Sequence, residues 1–264
     1  MTTFTELLSA IDAGDGVHRL LTPPSWMQGR TLYGGISAAL CLEAVVRDFP
    51  NLPSLRSAQI AFVGPSGGEV TLRTERLRQG KSAAFVASDL LVNGQIGTRA
   101  LFCFGGDRQS VHLIQAKRAP DVPGPEMCPP FVPPARYPQF ISNFDMRLAY
   151  GAWPVAGAST ADNIAWVRHR DAVAPSSLTK LLAVADVAPP AAICLLTKPA
   201  PISTMTWSFD VLSPLAAHDS SNEWFLCQST AETVGGGYSC QSMHVWSVDG
   251  TPLLSGRQTI AMFD

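Results

Sequence analysis

Charge is scarce in this chain. Asp, Glu, Lys and Arg make up 15% of its 264 residues, the net charge is −2, and neither a basic run nor an arginine–aromatic stripe occurs. Nucleic acid is therefore not an expected partner, since phosphate binding needs clustered cations. The six cysteines, Cys41, Cys103, Cys128, Cys194, Cys227 and Cys240, lie far apart, with no Cys-x-x-Cys pair and no Cys/His spacing suited to zinc. They read as small reduced core residues in a cytosol, and no metal or cofactor is implied. No window approaches ~18 consecutive apolar residues, so no membrane span is expected. Met1 to Asp15 carries acidic residues and no long apolar core, so a soluble cytoplasmic protein without a signal peptide is expected. A Gly-x-Ser-x-Gly elbow is missing too, and no Cys/His pair follows triad logic, which argues against a covalent nucleophile.

What is present is a repeat. In the first copy, Ile60-Ala61-Phe62-Val63-Gly64-Pro65 leads to a strand-like run over Glu69–Arg78, the turn Gln79-Gly80-Lys81, a strand over Ser82–Val92, the turn Asn93-Gly94 and a strand closing at Phe104. The second copy begins at Trp207-Ser208-Phe209-Asp210-Val211-Leu212-Ser213-Pro214. It runs through Glu223–Thr233, Gly235-Gly236-Gly237, Tyr238–Val248, Asp249-Gly250 and Leu253–Phe263. Gly80 and Gly94 map onto Gly236 and Gly250 without a gap. Asn-Gly and Asp-Gly between alternating apolar runs predict hairpins. Gly235-Gly236-Gly237 reads as a turn, because no strand-to-helix context makes it a phosphate loop. Self-similarity over half a chain means duplication of one β-rich unit.

Each copy has one helix ahead of its strands. Apolar periodicity predicts the first from about Gly35 to Asp48, ended by Phe49-Pro50. The second follows Pro175-Ser176-Ser177, where either serine can cap, and stops before Pro189-Pro190. Between the copies, Ala119–Pro138 holds eight prolines and reads as an extended connector over the surface. The expected division is 1–106, connector 107–139, and 140–264. With 46% apolar residues, a sizeable core is available.

Three polar residues stand out in the second copy. Gln258 lies on the apolar face Leu254, Gly256, Gln258, Ile260, Met262 of the last strand, where an unpaired amide would cost about 1–3 kcal/mol. The equivalent position in the first copy is Phe102. Asp186 falls in the last turn of the second helix, beside its apolar stripe. A carboxylate there opposes the helix dipole by ~0.3–1 kcal/mol and loses hydration. Such a residue is a site candidate, or else it hydrogen-bonds a loop amide after the helix. Thr204 shares a predicted strand face with Ile202, Thr206, Ser208 and Asp210, and its first-copy counterpart is Leu55. On its own, a strand threonine is usually a good strand former.

The order Leu-Ala-Val-Ala-Asp186, Ser-Thr204-Met and Ser-Gly-Arg-Gln258 resembles the acyl-CoA thioesterase II family, and Tyr33-Gly34-Gly35 at the start of the first helix fits the same pattern. The resemblance implies an α+β double hotdog: two tandem units, each a central helix wrapped by an antiparallel sheet. It implies acyl-CoA as the substrate and Asp186, Thr204 and Gln258 as the residues that position and polarise a hydrolytic water. Gly34, Gly35 and Tyr33 would lie at the substrate, with a backbone N–H of the Gly34-Gly35 turn steadying an oxyanion, and Trp26 and Met27 would line an acyl pocket. Family members carry an acidic residue and a histidine soon after the Thr, then Arg-Pro. This chain has Thr206, Trp207 and Ser213-Pro214 instead.

Two rival readings accompany this one. A hotdog hydratase would need a histidine on or near a central helix, and His18, His112, His169, His218 and His244 all fall elsewhere. A non-catalytic acyl binder would keep the apolar tunnel alone. The other tryptophans, Trp153, Trp166, Trp207, Trp224 and Trp246, are scattered singly and read as packing residues. Pairing within one chain replaces the dimer of single hotdogs, and association of double hotdogs into a homo-oligomer is left open.

Overall fold

A computed structural model describes residues 1–14, 17–134, 137–173, 177–213 and 223–263. Pro175, Ser176, Pro214 and His218 lie outside the described residues. In chain order the elements are α1 Phe4–Ser9, β1 Asp12–Gly14, β2 Val17–Leu21, β3 Met27–Gln28, β4 Thr31–Leu32, α2 Gly34–Asp48, β5 Leu55–Phe62, β6 Glu69–Gln79, β7 Ala83–Val92 and β8 Gln95–Gly105. After the connector come β9 Phe144–Tyr150, β10 Asp162–His169, α3 Leu178–Ala185, β11 Ile202–Val211, β12 Phe225–Gly235, β13 Tyr238–Ser247 and β14 Pro252–Met262.

Twelve strands form one antiparallel sheet in the order β1-β2-β6-β7-β8-β5-β11-β14-β13-β12-β10-β9. Six strands on one side come from the first copy and six from the second. The two halves join where β5 pairs with β11, Ile60 opposite Trp207 and Ala58 opposite Phe209. This is a double hotdog with its two sheets fused edge to edge, so neither half exposes its central edge. The helices α2 and α3 pack against each other in the concavity, and their apolar residues share one core with both half-sheets.

Local chemistry explains the turns. Asn93 and Gly94 have φ of 51° and 78°, as a two-residue hairpin with the strands' own twist requires. Gly236 and Gly237, at 60° and 80°, do the same between β12 and β13. Ser177 caps α3 by accepting from Lys180 N–H, and α3 ends after eight residues, whereas α2 runs for fifteen.

The connector does more than span a gap. Trp166 and Trp246 point outward from the second half-sheet, and their indole N–H groups donate to Pro123 O at 2.8 Å and Lys117 O at 2.9 Å. With Cys128, Ile164, Trp224 and Leu226 they form a second, smaller core beneath the strap. The scattered tryptophans thus include the residues that fasten the proline-rich segment. All six cysteines are free and four are buried.

Candidate active site

Asp186 is the C-terminal cap of α3, one residue beyond the predicted last turn. Its expected liability is the negative end of its own helix dipole, and its remedy is the positive end of the other helix. Gly35, in the first turn of α2, donates its backbone N–H to the Asp186 carboxylate. Gln258 on β14 donates Nε2–H to Asp186 Oδ1 at 2.5 Å. A carboxylate from the second half thus closes on the helix start of the first.

The two glycines that open α2 are required by sterics. A Cβ on Gly34 would lie 2.7 Å from Asp186 Oδ2 and 3.2 Å from the Phe62 ring. A Cβ on Gly35 would lie 2.5 Å from the Tyr33 hydroxyl, whose ring folds back over the helix start. Tyr33 is the α2 N-cap residue, stacked on Phe140 at 4.1 Å, and its hydroxyl donates to Ala183 O of α3 at 2.9 Å. Each helix therefore holds the other near its terminus. Burial, joined by the Asp186 carboxylate, keeps the Tyr33 phenol well above its usual range, so this group is a fixed donor.

Electrostatically the carboxylate is isolated. Among the described residues no Lys, Arg or His makes an ion pair with Asp186. Protein surrounds it, although part of its surface stays accessible. Burial pushes its carboxyl up to about 7, against the lowering hydrogen bonds from Gln258 and Gly35. Desolvation dominates because two amide dipoles replace water less effectively than a full countercharge would.

Gln258 is 2% exposed and does not stand alone. Its Oε1 accepts from Gln241 Nε2 at 2.8 Å, and Gln241 Oε1 accepts from Ala191 N–H at 2.9 Å. Gln241 is fully buried on β13, directly opposite Gln258. Gln241 is not among the three polar residues that stand out in the second copy. The signal was there, since the inward face of β13 reads Ser239, Gln241, Met243, Val245, an amide amid apolar residues like Gln258 itself.

Thr204 needs a correction. A bulge between Thr204 and Thr206 breaks the strict alternation of β11. Thr206, Ser208 and Asp210 face solvent, whereas half-buried Thr204 pairs with fully buried Ile260 and so shares the face of Gln258. Among the described residues its hydroxyl makes no hydrogen bond to Asp186 or Gln258. The structure brings Asp186, Gln258 and Gly35 into contact and leaves Thr204 one step along the same face. Trp26 is buried in an aromatic cluster with Phe4, Phe144 and His169, beside a cavity of about 180 Å³ that does not include Asp186. Its indole N–H donates to Thr2 O and its carbonyl accepts from Tyr33 N–H, so it supports the N-cap rather than the carboxylate. Met27 pairs with Leu32, and its methyl group would meet a Cβ on Gly67 at 2.7 Å.

Known proteins agree with this architecture over both halves. The acyl-CoA thioesterase N-terminal domain matches residues 22–105, and the acyl-CoA thioesterase C-terminal domain matches residues 120–262. The chain belongs to the acyl-CoA thioesterase family. A hotdog-fold protein of unknown function from Alicyclobacillus acidocaldarius superposes with a TM-score of 0.88 at 25% identity, covering 100% of this chain and 99% of that one. An acyl-CoA thioesterase II from Mycobacterium marinum gives 0.76 at 16% identity, with 98% of each chain covered. A tesB protein of Mycobacterium avium subs paratuberculosis gives 0.80 at 14%, covering 99% of this chain and 100% of that one. No curated protein sequence matches the chain. Among the described residues no helix of this family member is long and apolar enough to cross a membrane.

Proposed function

We propose that the protein hydrolyses acyl-CoA thioesters with a water molecule activated by Asp186. One observation carries this reading: a partly accessible carboxylate, with no ion-pair partner among the described residues, is held between the Gly35 N–H at the start of α2 and the Gln258 amide of β14, and burial pushes its carboxyl up to about 7. A general base works best when its pKa lies near the working pH.

In the proposed step the water gives a proton to Asp186 as its oxygen bonds to the thioester carbonyl carbon. The carbonyl becomes an oxyanion, and a first-turn amide of α2 steadies it. The N–H of Gly35 is committed to Asp186, so Gly34 is the better-placed donor of the glycine pair. Collapse of the tetrahedral intermediate breaks the carbon–sulfur bond, and the proton held by Asp186 passes to the departing thiolate. The products are the free acid and CoA. Gln258 holds the base in place, and Thr204, on the same face, orients the water.

Hydrolysis of an acyl-CoA panel, followed with a thiol reagent, tests this with wild type and Asp186→Asn. The wild type is expected to release thiol, and the variant to lose that activity. Equal rates would remove Asp186 from the mechanism. Binding of acyl-CoA without any thiol release would favour an acyl-binding hotdog instead.

A further inference from the structure

The amide chain behind Asp186 has a direction. Ala191 N–H is a backbone group and can only donate, so the Gln241 side chain must turn its oxygen toward it. That choice leaves the Gln241 NH2 group facing Gln258, whose oxygen accepts it, and so turns the Gln258 NH2 group toward Asp186 Oδ1. Reversing either amide would set donor against donor or acceptor against acceptor in a buried site, leaving polar groups unsatisfied away from water. Ala191 opens a short 3-10 turn just after Asp186 and Pro189-Pro190. The path Asp186, Ala191, Gln241, Gln258 and back to Asp186 is therefore a closed ring, crossing two strands and one loop.

We propose that Gln241 is a positioning residue that locks the direction of the Gln258 amide, so that Asp186 Oδ1 only accepts and the catalytic proton is taken up and released at Oδ2. Oδ2 is the oxygen on the Gly34 side, 2.7 Å from where a Cβ on that glycine would lie. The inference deepens the proposed hydrolase reading and rests on it for the word catalytic. Its geometry stands on the hydrogen bonds alone.

Without the lock, Gln258 can present its carbonyl to Asp186, and a protonated carboxyl gains a partner it lacks in the wild type. The ionised base is then disfavoured relative to the acid. Gln241→Met keeps the volume and adapts to its surroundings; Gln241→Leu is the second variant should the first fold poorly. The midpoint of the kcat/KM profile is expected to rise by about one pH unit with KM changed less than about twofold. At a pH below both midpoints this is about a tenfold loss, and most of it returns at high pH.

A purely structural role would lower Tm and leave the midpoint where it was. A midpoint within about 0.2 pH unit of wild type in a folded variant overturns the proposal. A second measurement separates it from the hydrolase reading: the infrared titration of the Asp186 carboxyl, taken as a difference against Asp186→Asn. If no thioester is hydrolysed but the infrared midpoint still moves up in Gln241→Met, the relay stands and the functional reading falls. If turnover is normal and neither midpoint moves, the relay falls alone.

Discussion

Two helix carboxylates in this molecule do nearly the same thing with opposite consequences. Asp186, at the end of α3, meets the first turn of α2, and Glu43, within α2, meets the first turn of α3 by accepting from the Thr179 hydroxyl at 3.3 Å. The arrangement follows the duplication. Glu43 also receives Arg47 Nε–H at 2.8 Å, one turn along its own helix. Among the described residues the donors to Asp186 are amides, Gly35 and Gln258. The Arg47 guanidinium gives Glu43 a countercharge and makes it a structural fixture. Amides in a dry site leave the balance close to neutral pH. The same contrast runs through the sheet: where β7 and β8 oppose fully buried Val86 and Phe102, β13 and β14 oppose Gln241 and Gln258. One half is packed and the other is wired.

The sharpest way to break this contrast is Asp186→Asn. Loss of a general base is expected to lower kcat/KM by about 10²–10⁴-fold, with the wild-type rate rising with pH through an apparent pKa near 7. The same substitution reads out in stability. The folded-state carboxyl titrates near 7 and the unfolded one near 3.8, so the folded protein holds the extra proton between them. Wild-type stability relative to Asp186→Asn is therefore full below about pH 4 and falls as pH rises through 7. The fall should be on the order of 2–4 kcal/mol, read from urea melts at several pH values. A flat difference would mean that the carboxyl is not desolvated.

Giving the first half its missing glutamine should fail. Phe102 is fully buried opposite Val86 on one side and Ala58 on the other. Phe102→Gln would lose aromatic packing and bury an amide with no relay to receive it, at about 3–5 kcal/mol of unfolding free energy, read from denaturant melts. Retained stability would show that a polar pair can be accommodated there as easily as in the second half. Gly34→Ala acts on the wired half with less disruption. Its methyl would sit 2.7 Å from Asp186 Oδ2 and 3.2 Å from Phe62, so the carboxylate must retreat from the helix start. Loss of about tenfold or more in kcat is expected, with a smaller change in stability. Wild-type kcat would place the reacting oxygen elsewhere.

How much of this was legible depends on the range of each contact. The hairpins and the duplication are local, and Asn93-Gly94 and the glycines near 236 announced them. Asp186 and Gln258 could be read because each breaks a rule of its own element. What receives Asp186 could not be read, since Gly35 is some 150 residues away and only the packing of α2 on α3 brings it near. Strict alternation groups Thr204 with Thr206, Ser208 and Asp210, but a one-residue bulge at Met205 moves it to the other face, and bulges carry no simple signature in a strand of Ser, Thr and Met. A gapless alignment of the copies matches Gln241 with Phe85, whereas the observed pairing makes Val86 its counterpart. The contrast with an apolar pair therefore emerged only from the register. Trp166 and Trp246 looked inert for a related reason, because the carbonyls they bind belong to a segment without periodicity.

The smallest effect tests the other side of the contrast. Glu43→Gln keeps an acceptor for Thr179 and removes the charge that pairs with Arg47. Arg47 also donates to Leu8 O at 2.8 Å, so it stays anchored. An i,i+4 pair on a half-exposed helix surface is worth about 0.3–0.5 kcal/mol. Stability should fall by roughly that amount, less in high salt, and the pH profile of kcat/KM should not move. If the carboxylate of Glu43 were instead coupled to the site through α2, the midpoint set by Asp186 would shift with the loss of its charge. The two carboxylates would then be one electrostatic unit, and the division into a packed half and a wired half would have to be redrawn.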